Sequence, residues 1–183
     1  ETLKTSPIVP ATNNLMEIQS RGRIAPSGTL DMECTLVFGG INDNVYRGYF
    51  SRRKPEERRR YFEGAVKRRV AGARLTAFRI TPERIQDTSQ PLRVHLGYEA
   101  DDYLVVGQDY VIVPTPWLGS RVGFANFVLK ETGLEKRRFP FVTEIACGYR
   151  ESFRLDLGEH VGSLLSCPVF SRADTNTDRK SVV

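Results

Sequence analysis

The sequence predicts a mainly β domain of the α+β class, with antiparallel β-sandwich-like sheets and one amphipathic helix. Three observations carry that expectation: apolar and polar residues alternate over several short segments, turn residues separate those segments, and only Pro55 to Ala71 changes to helical spacing. The 183 residues are enough for one domain with a sizeable core. A hydrophobic content of 40% with 27% charged residues excludes a disordered, collagen-like or coiled-coil chain. No apolar run approaches the roughly 18 to 20 residues that cross a bilayer.

Residues 1–20, with Pro7, Pro10, Asn13 and Asn14, read as a linker or edge segment. Glu1 to Pro10 have neither the basic start nor the apolar centre of a secretory signal, so any targeting sequence is expected to be absent or removed. A β-rich domain is expected over 21–170. Its first strand is Leu30 to Phe38, where Leu30, Met32, Cys34, Leu36 and Phe38 alternate with Asp31, Glu33 and Thr35. Gly39 to Asn44 supply a turn, after which Val45 to Phe50 is expected to close a hairpin. The helix that follows aligns Tyr61, Phe62, Ala65, Val66 and Val70 on one face; Pro55 suits its first position, Glu56 and Glu57 its positive end, and Gly72 its C-terminal cap. Further strands are expected at Thr76 to Ile80, Leu92 to Tyr98, Tyr103 to Val106, Tyr110 to Val113, Val122 to Leu129, Val142 to Tyr149 and Ser152 to Leu157. Residues 171–183 lack core residues and read as a flexible tail.

The net charge of +5 is local, because Ser51 to Val70 holds nine Arg or Lys against three Glu and the rest of the chain is close to neutral. Arg58, Arg59, Lys67 and Arg68 therefore form a candidate basic surface, with a phosphate-contacting stripe as its sharpest reading. The spacing of Glu56 with Arg60 and of Glu63 with Lys67 argues for a self-paired, solvated face, and nucleic acid is not the expected partner. A thiol nucleophile needs a base beside it, and only His95 and His160 are present. Cys34 and Cys147 lie in apolar register and His95 points away from Val94 and Leu96, so structural cysteines and a solvated histidine are expected. No metal-ligand spacing or phosphate-cradling glycine motif occurs, hence no metal and no cofactor are expected. The loop aromatics Trp117, Tyr103 and Tyr110 are the candidate contacts for a polysaccharide or peptide.

Gly28, Leu30 and the strand to Gly39 and Gly40, then Tyr46 and Arg47, then the Pro55 to Val70 helix, make an ordered pattern that ends with Arg138, Phe139 and Pro140 leading to Tyr149, Glu151 and Phe153 to Leu157. Over about Ser20 to Leu165 this resembles the region that follows the catalytic domain in bacterial transglutaminase-like proteins that also carry an N-terminal β domain of unknown function. Where that family ends in a Leu-Pro-x-Gly turn, this chain reads Asp156, Leu157, Gly158, Glu159. The resemblance implies that the Cys, His and Asp catalytic set lies upstream and that none of it maps onto Cys34, Cys147, Cys167, His95 or His160. It implies a non-catalytic accessory or interaction domain whose partners are neighbouring domains of the same polypeptide. An extracytoplasmic location, in the periplasm or at the cell surface, follows from the same resemblance.

Overall fold

A computed structural model describes residues 9–130, 143, 145–160, 162–163 and 165–166. Its centre is a five-stranded sheet built from β1 (Leu15–Ile24), β2 (Leu30–Phe38), β3 (Arg74–Thr81), β4 (Arg93–Ala100) and a last strand, Gly148–Asp156, in the order β3-β4-β2-β1-last. The helices are α1 (Ile41–Ser51), α2 (Pro55–Lys67) and the short α3 (Phe124–Val128). Val105–Val106 (β5) and Val111–Ile112 (β6) make a separate ribbon, so the last strand of the main sheet is β7. The fold is α+β and mainly β, as its alternating segments imply.

One register fixes which side chains meet inside. Met16 pairs with Phe38, Ile18 with Leu36, Ser20 with Cys34 and Ile24 with Leu30, and β2 continues the rows by pairing Met32 with Tyr98, Cys34 with Leu96 and Leu36 with Val94. Because strand side chains alternate between faces, these residues form one continuous apolar surface. Met16, Ile18, Leu30, Met32, Leu36, Val94 and Tyr98 are all fully buried. Gly22 belongs to the same face, and its lack of a side chain admits Met32, whose Sδ would stand 2.0 Å from an added Cβ. The opposite face presents Gln19, Arg21, Arg23, Glu33, Arg93, His95, Ser152 and Arg154 to water, the arrangement an antiparallel sheet with one covered face adopts.

Aromatic rings join the covered face to the helices. Phe38 contacts Tyr46 at 4.6 Å, Phe50 contacts Phe62 at 5.5 Å, and Phe62 reaches Phe78 at 5.8 Å between ring centroids. The expected helix is α2, started by Pro55 and by the Glu57 carboxylate, which accepts the Lys54 N–H at 2.9 Å. Phe62, Ala65 and Val66 are its buried side.

Several expected elements take another form. Val45 to Phe50 is helical, within α1, and not the second strand of a hairpin. Asn14 Oδ1 accepts the Ile41 N–H at 2.9 Å and thereby starts the helix, and the buried residues Asn42, Tyr46 and Phe50 recur every four positions. Leu15 to Ser20, expected as linker or edge, opens an interior strand. Val122 to Leu129 contains α3 and the expected meander shrinks to the β5/β6 ribbon, whereas the expected strand at Ser152 is present as part of β7, which ends at Asp156. Residues 145–147 are not strand, while Val142 lies outside the described residues. The main sheet is also not wholly antiparallel, since β7 runs parallel to β1; a strand returning after a long crossover can enter in that sense. Helices and the segment after β4 occupy the face where a second packed sheet was expected.

Arg47 fastens the connection between β3 and β4 from below. The residue is 7% exposed, and its guanidinium pairs with Asp43 at 2.6 Å and donates to the carbonyls of Ile85 at 2.6 Å, Asp87 at 2.7 Å and Gln90. Asp43 in turn accepts the Leu92 N–H at 2.9 Å.

Candidate binding site

Asn42 holds α3 beside α1, and Asn14 and Asn126 fix the segments around them. Asn14 donates to the Ala146 carbonyl at 2.8 Å, Asn42 donates to the Asn14 carbonyl at 2.7 Å and accepts the Phe124 N–H at 2.8 Å, and Asn126 donates to the carbonyls of Gly119 and Val122. Gly123 enters α3 with φ of 108°, a conformation open to glycine, and an added Cβ there would stand 2.8 Å from Met16 Cε.

This arrangement leaves an open pocket of about 320 Å³, lined by Val45, Tyr46, Tyr49, Tyr61, Gly123, Phe124 and Phe127. Its walls are almost entirely apolar or aromatic. Phe127 is 71% exposed and stacks on Phe124 at 5.5 Å, while Val45 and Tyr49 are each 38% exposed. At its base the Gly123 N–H donates to the Tyr46 hydroxyl at 2.8 Å, which shares a hydrogen bond with the Tyr61 hydroxyl at 3.0 Å. Burial pushes the pKa of both phenols upward, so they remain protonated donors.

The sequence-proposed aromatics do not line this pocket. Trp117 packs edge-on against Phe153 at 4.6 Å, beside the Glu151 carboxylate, which accepts the N–H groups of Leu118 at 2.6 Å and Gly119 at 2.7 Å. Tyr103 is buried and donates its hydroxyl to the Pro114 carbonyl; Tyr110 is exposed and its ring lies against Gly107. Val45, Tyr49, Phe124 and Phe127 escaped sequence reasoning because both segments were read with strand periodicity, which hides the four- and three-residue spacings of a helix face.

The basic stripe is largely spent on structure. Arg58 donates to the Phe50 carbonyl at 2.9 Å, Arg59 to the Leu75 carbonyl at 2.8 Å, and Lys67 pairs with Glu63 at 2.8 Å. Arg68 is exposed.

Cys34 and His95 lie on opposite faces of the sheet, because Cys34 pairs with Leu96 whereas His95 pairs with Thr35. His95 Nδ1 is 3.2 Å from the Thr35 hydroxyl. Burial raises the Cys34 thiol to about 12. The nearby hydroxyls of Ser20 and Tyr98 lack a hydrogen-bond partner of standard geometry, yet lie close enough to the thiol to influence it. Cys147 is half-buried, and burial raises its thiol as well. Cys167 and the His160 side chain lie outside what is described. Among the described residues, no three His, Cys, Asp or Glu converge as a metal site, and no helix is long and apolar enough to cross a membrane.

Compared with family models, curated proteins and solved structures, the chain finds no match in any of the three.

Proposed function

We propose that this chain is a non-catalytic accessory or interaction domain of a larger bacterial transglutaminase-like protein. The observation that carries the reading is the separation of Cys34 from His95: the thiol sits in the sheet core and the imidazole in water on the other face. A cysteine nucleophile needs access and a stabilised thiolate. Cys34 has the opposite environment. The bacterial family and the extracytoplasmic location rest on the sequence resemblance.

The test is turnover of peptide and ester substrates by the isolated chain. None is expected, and turnover that disappears in Cys34→Ala or Cys147→Ala while the fold is retained refutes the reading. Export is tested by fractionating cells that express the complete gene; recovery in the cytoplasm alone contradicts the location.

A second reading, a carbohydrate- or peptide-binding module, is favoured by the aromatic pocket between α1 and α3, since large rings exposed around a concavity mark binding surfaces. Calorimetric titration with polysaccharides and cell-wall peptides tests it, with saturable heat expected from one class; silence from a folded sample against both classes removes it.

A further inference from the structure

The aromatic pocket offers more than an apolar wall. In the relay at its base, the Tyr46 oxygen accepts the Gly123 N–H, and one hydrogen bond joins the two phenols. Two hydroxyl protons and one shared bond leave one proton to donate outward. The floor therefore presents a hydrogen-bond donor.

The rim carries positive charge. The Arg53 guanidinium stands 4.9 Å above the Tyr49 ring and is offset by Glu57 at 3.5 Å. Arg68 folds back over Gly64, where an added Cβ would stand 3.3 Å from its Nη1, and so lies along the helix edge that carries Tyr61. Arg53 and Arg68 against the single carboxylate of Glu57 leave this side of the rim with a net positive charge, and Arg68 lies close enough to Tyr61 to act on its hydroxyl. An occupant complementary to this site has an apolar body for the walls, carboxylates for the rim and an acceptor for the phenol. A volume of about 320 Å³ suits one large side chain, and the exposed Phe127 ring extends the apolar surface beside it.

We propose that this pocket is the docking site for an acidic peptide segment of a neighbouring polypeptide, which inserts one aromatic or leucine-sized side chain and sets its carboxylates against Arg68. The proposal deepens the accessory-domain reading and rests on it, by naming the surface through which such a domain holds its neighbour. A neutral sugar fits less well, because apolar walls with a single donor cannot satisfy its many hydroxyls.

The probe is a fluorescein-labelled Asp-Glu-Phe-Glu-Asp peptide titrated with the full chain and followed by fluorescence anisotropy. Saturable binding that weakens with added salt is expected. Replacing the central Phe of the peptide by Ala, or introducing Phe127→Ser or Val45→Asp, should weaken binding by about tenfold or more, the scale of losing a central anchor. Arg68→Glu should weaken it and flatten the salt dependence. Far-UV circular dichroism and a thermal melt establish that each variant is folded. Absence of saturable binding overturns the proposal, as does equal affinity for the Ala peptide, unchanged affinity in folded Phe127→Ser and Val45→Asp chains, or preference for a labelled oligonucleotide or polysaccharide. Peptide and ester turnover is measured on the same samples. No binding by a catalytically silent chain refutes the docking site alone, whereas cysteine-dependent turnover refutes the accessory-domain reading.

Discussion

Replacing Arg47 by Ala should cost about 3 to 5 kcal/mol, the usual penalty for removing one partner of a buried ion pair. The structure explains why the cost falls in that range. The guanidinium serves Asp43 and the carbonyls of Ile85, Asp87 and Gln90, so its removal strips four acceptors of their donor at once. A buried acceptor left unmade costs about 1 to 3 kcal/mol, but these share one cavity and water can enter beside the partly buried ones, so the penalties do not add. Arg47→Lys keeps the charge yet supplies one ammonium where a planar fork reaches several carbonyls, and should lose about half as much. Urea denaturation followed by circular dichroism measures both. With a typical domain stability of about 5 to 15 kcal/mol, Arg47→Ala should come close to unfolding a marginal chain. Arg154→Ala, on the exposed strand face, should change stability by no more than about 0.5 kcal/mol. A folded Arg47→Ala chain within about 1 kcal/mol of the parent would refute the claim that this side chain holds the β3 to β4 connection.

Phe62 is fully buried between Phe50 and Phe78, and Phe62→Ala should cost about 3 to 5 kcal/mol by the same denaturation. Arg59→Ala, which removes a donor from the Leu75 carbonyl, should cost about 0.5 to 1.5 kcal/mol, above the cost of a freely solvated arginine. The Cys34 thiol is raised from an ordinary 9.0 to about 12, so the unfolded chain loses its proton first and stability should fall as pH rises through that window. Melts of Cys34→Ala against the parent should show a shallower alkaline decline in the variant. Burial also raises the Glu151 carboxyl above its usual range, so its contribution to stability should decline as pH rises from the ordinary carboxylate value toward the raised one. Glu151→Ala should free the Trp117 loop and shift tryptophan emission to the red; an unchanged spectrum contradicts the clasp.

Those strands whose alternation survives unbroken were legible from residues alone. Leu30 to Phe38 and Leu92 to Tyr98 keep strict period two because both flank the covered face over their whole length. β1 was hidden for a physical reason. Ser20 and Gly22 occupy inward positions where Cys34 and Met32 fill the space from the neighbouring strand, so the apolar pattern breaks without the strand ending. α1 departs from its local pattern for a different reason: Val45 to Phe50 carries β-favouring Val and Tyr, a weak preference that tertiary packing overrides once Asn14, 27 residues before Ile41, supplies the helix start.

The same non-local dependence separates the candidate site from the residues first proposed for it. Trp117, Tyr103 and Tyr110 read from the sequence as loop aromatics, but a loop ring becomes available only if nothing folds over or under it. Phe153 and the Pro114 carbonyl take up Trp117 and Tyr103. The rings that remain available around a concavity come from Val45 to Tyr49 and Phe124 to Phe127, segments separated by some 75 residues and brought together by Asn42, whose amide spans both helices. Neither segment signals a pocket by itself. Exchanging Asn42 for Asp tests that dependence: the carboxylate still accepts the Phe124 N–H but has no donor for the Asn14 carbonyl. A buried charge facing that oxygen should cost more than the single lost hydrogen bond, about 1 kcal/mol. It should also weaken binding of the acidic peptide in parallel with stability. Peptide affinity that survives a destabilised Asn42→Asp fold would mean that the pocket is assembled independently of this clasp.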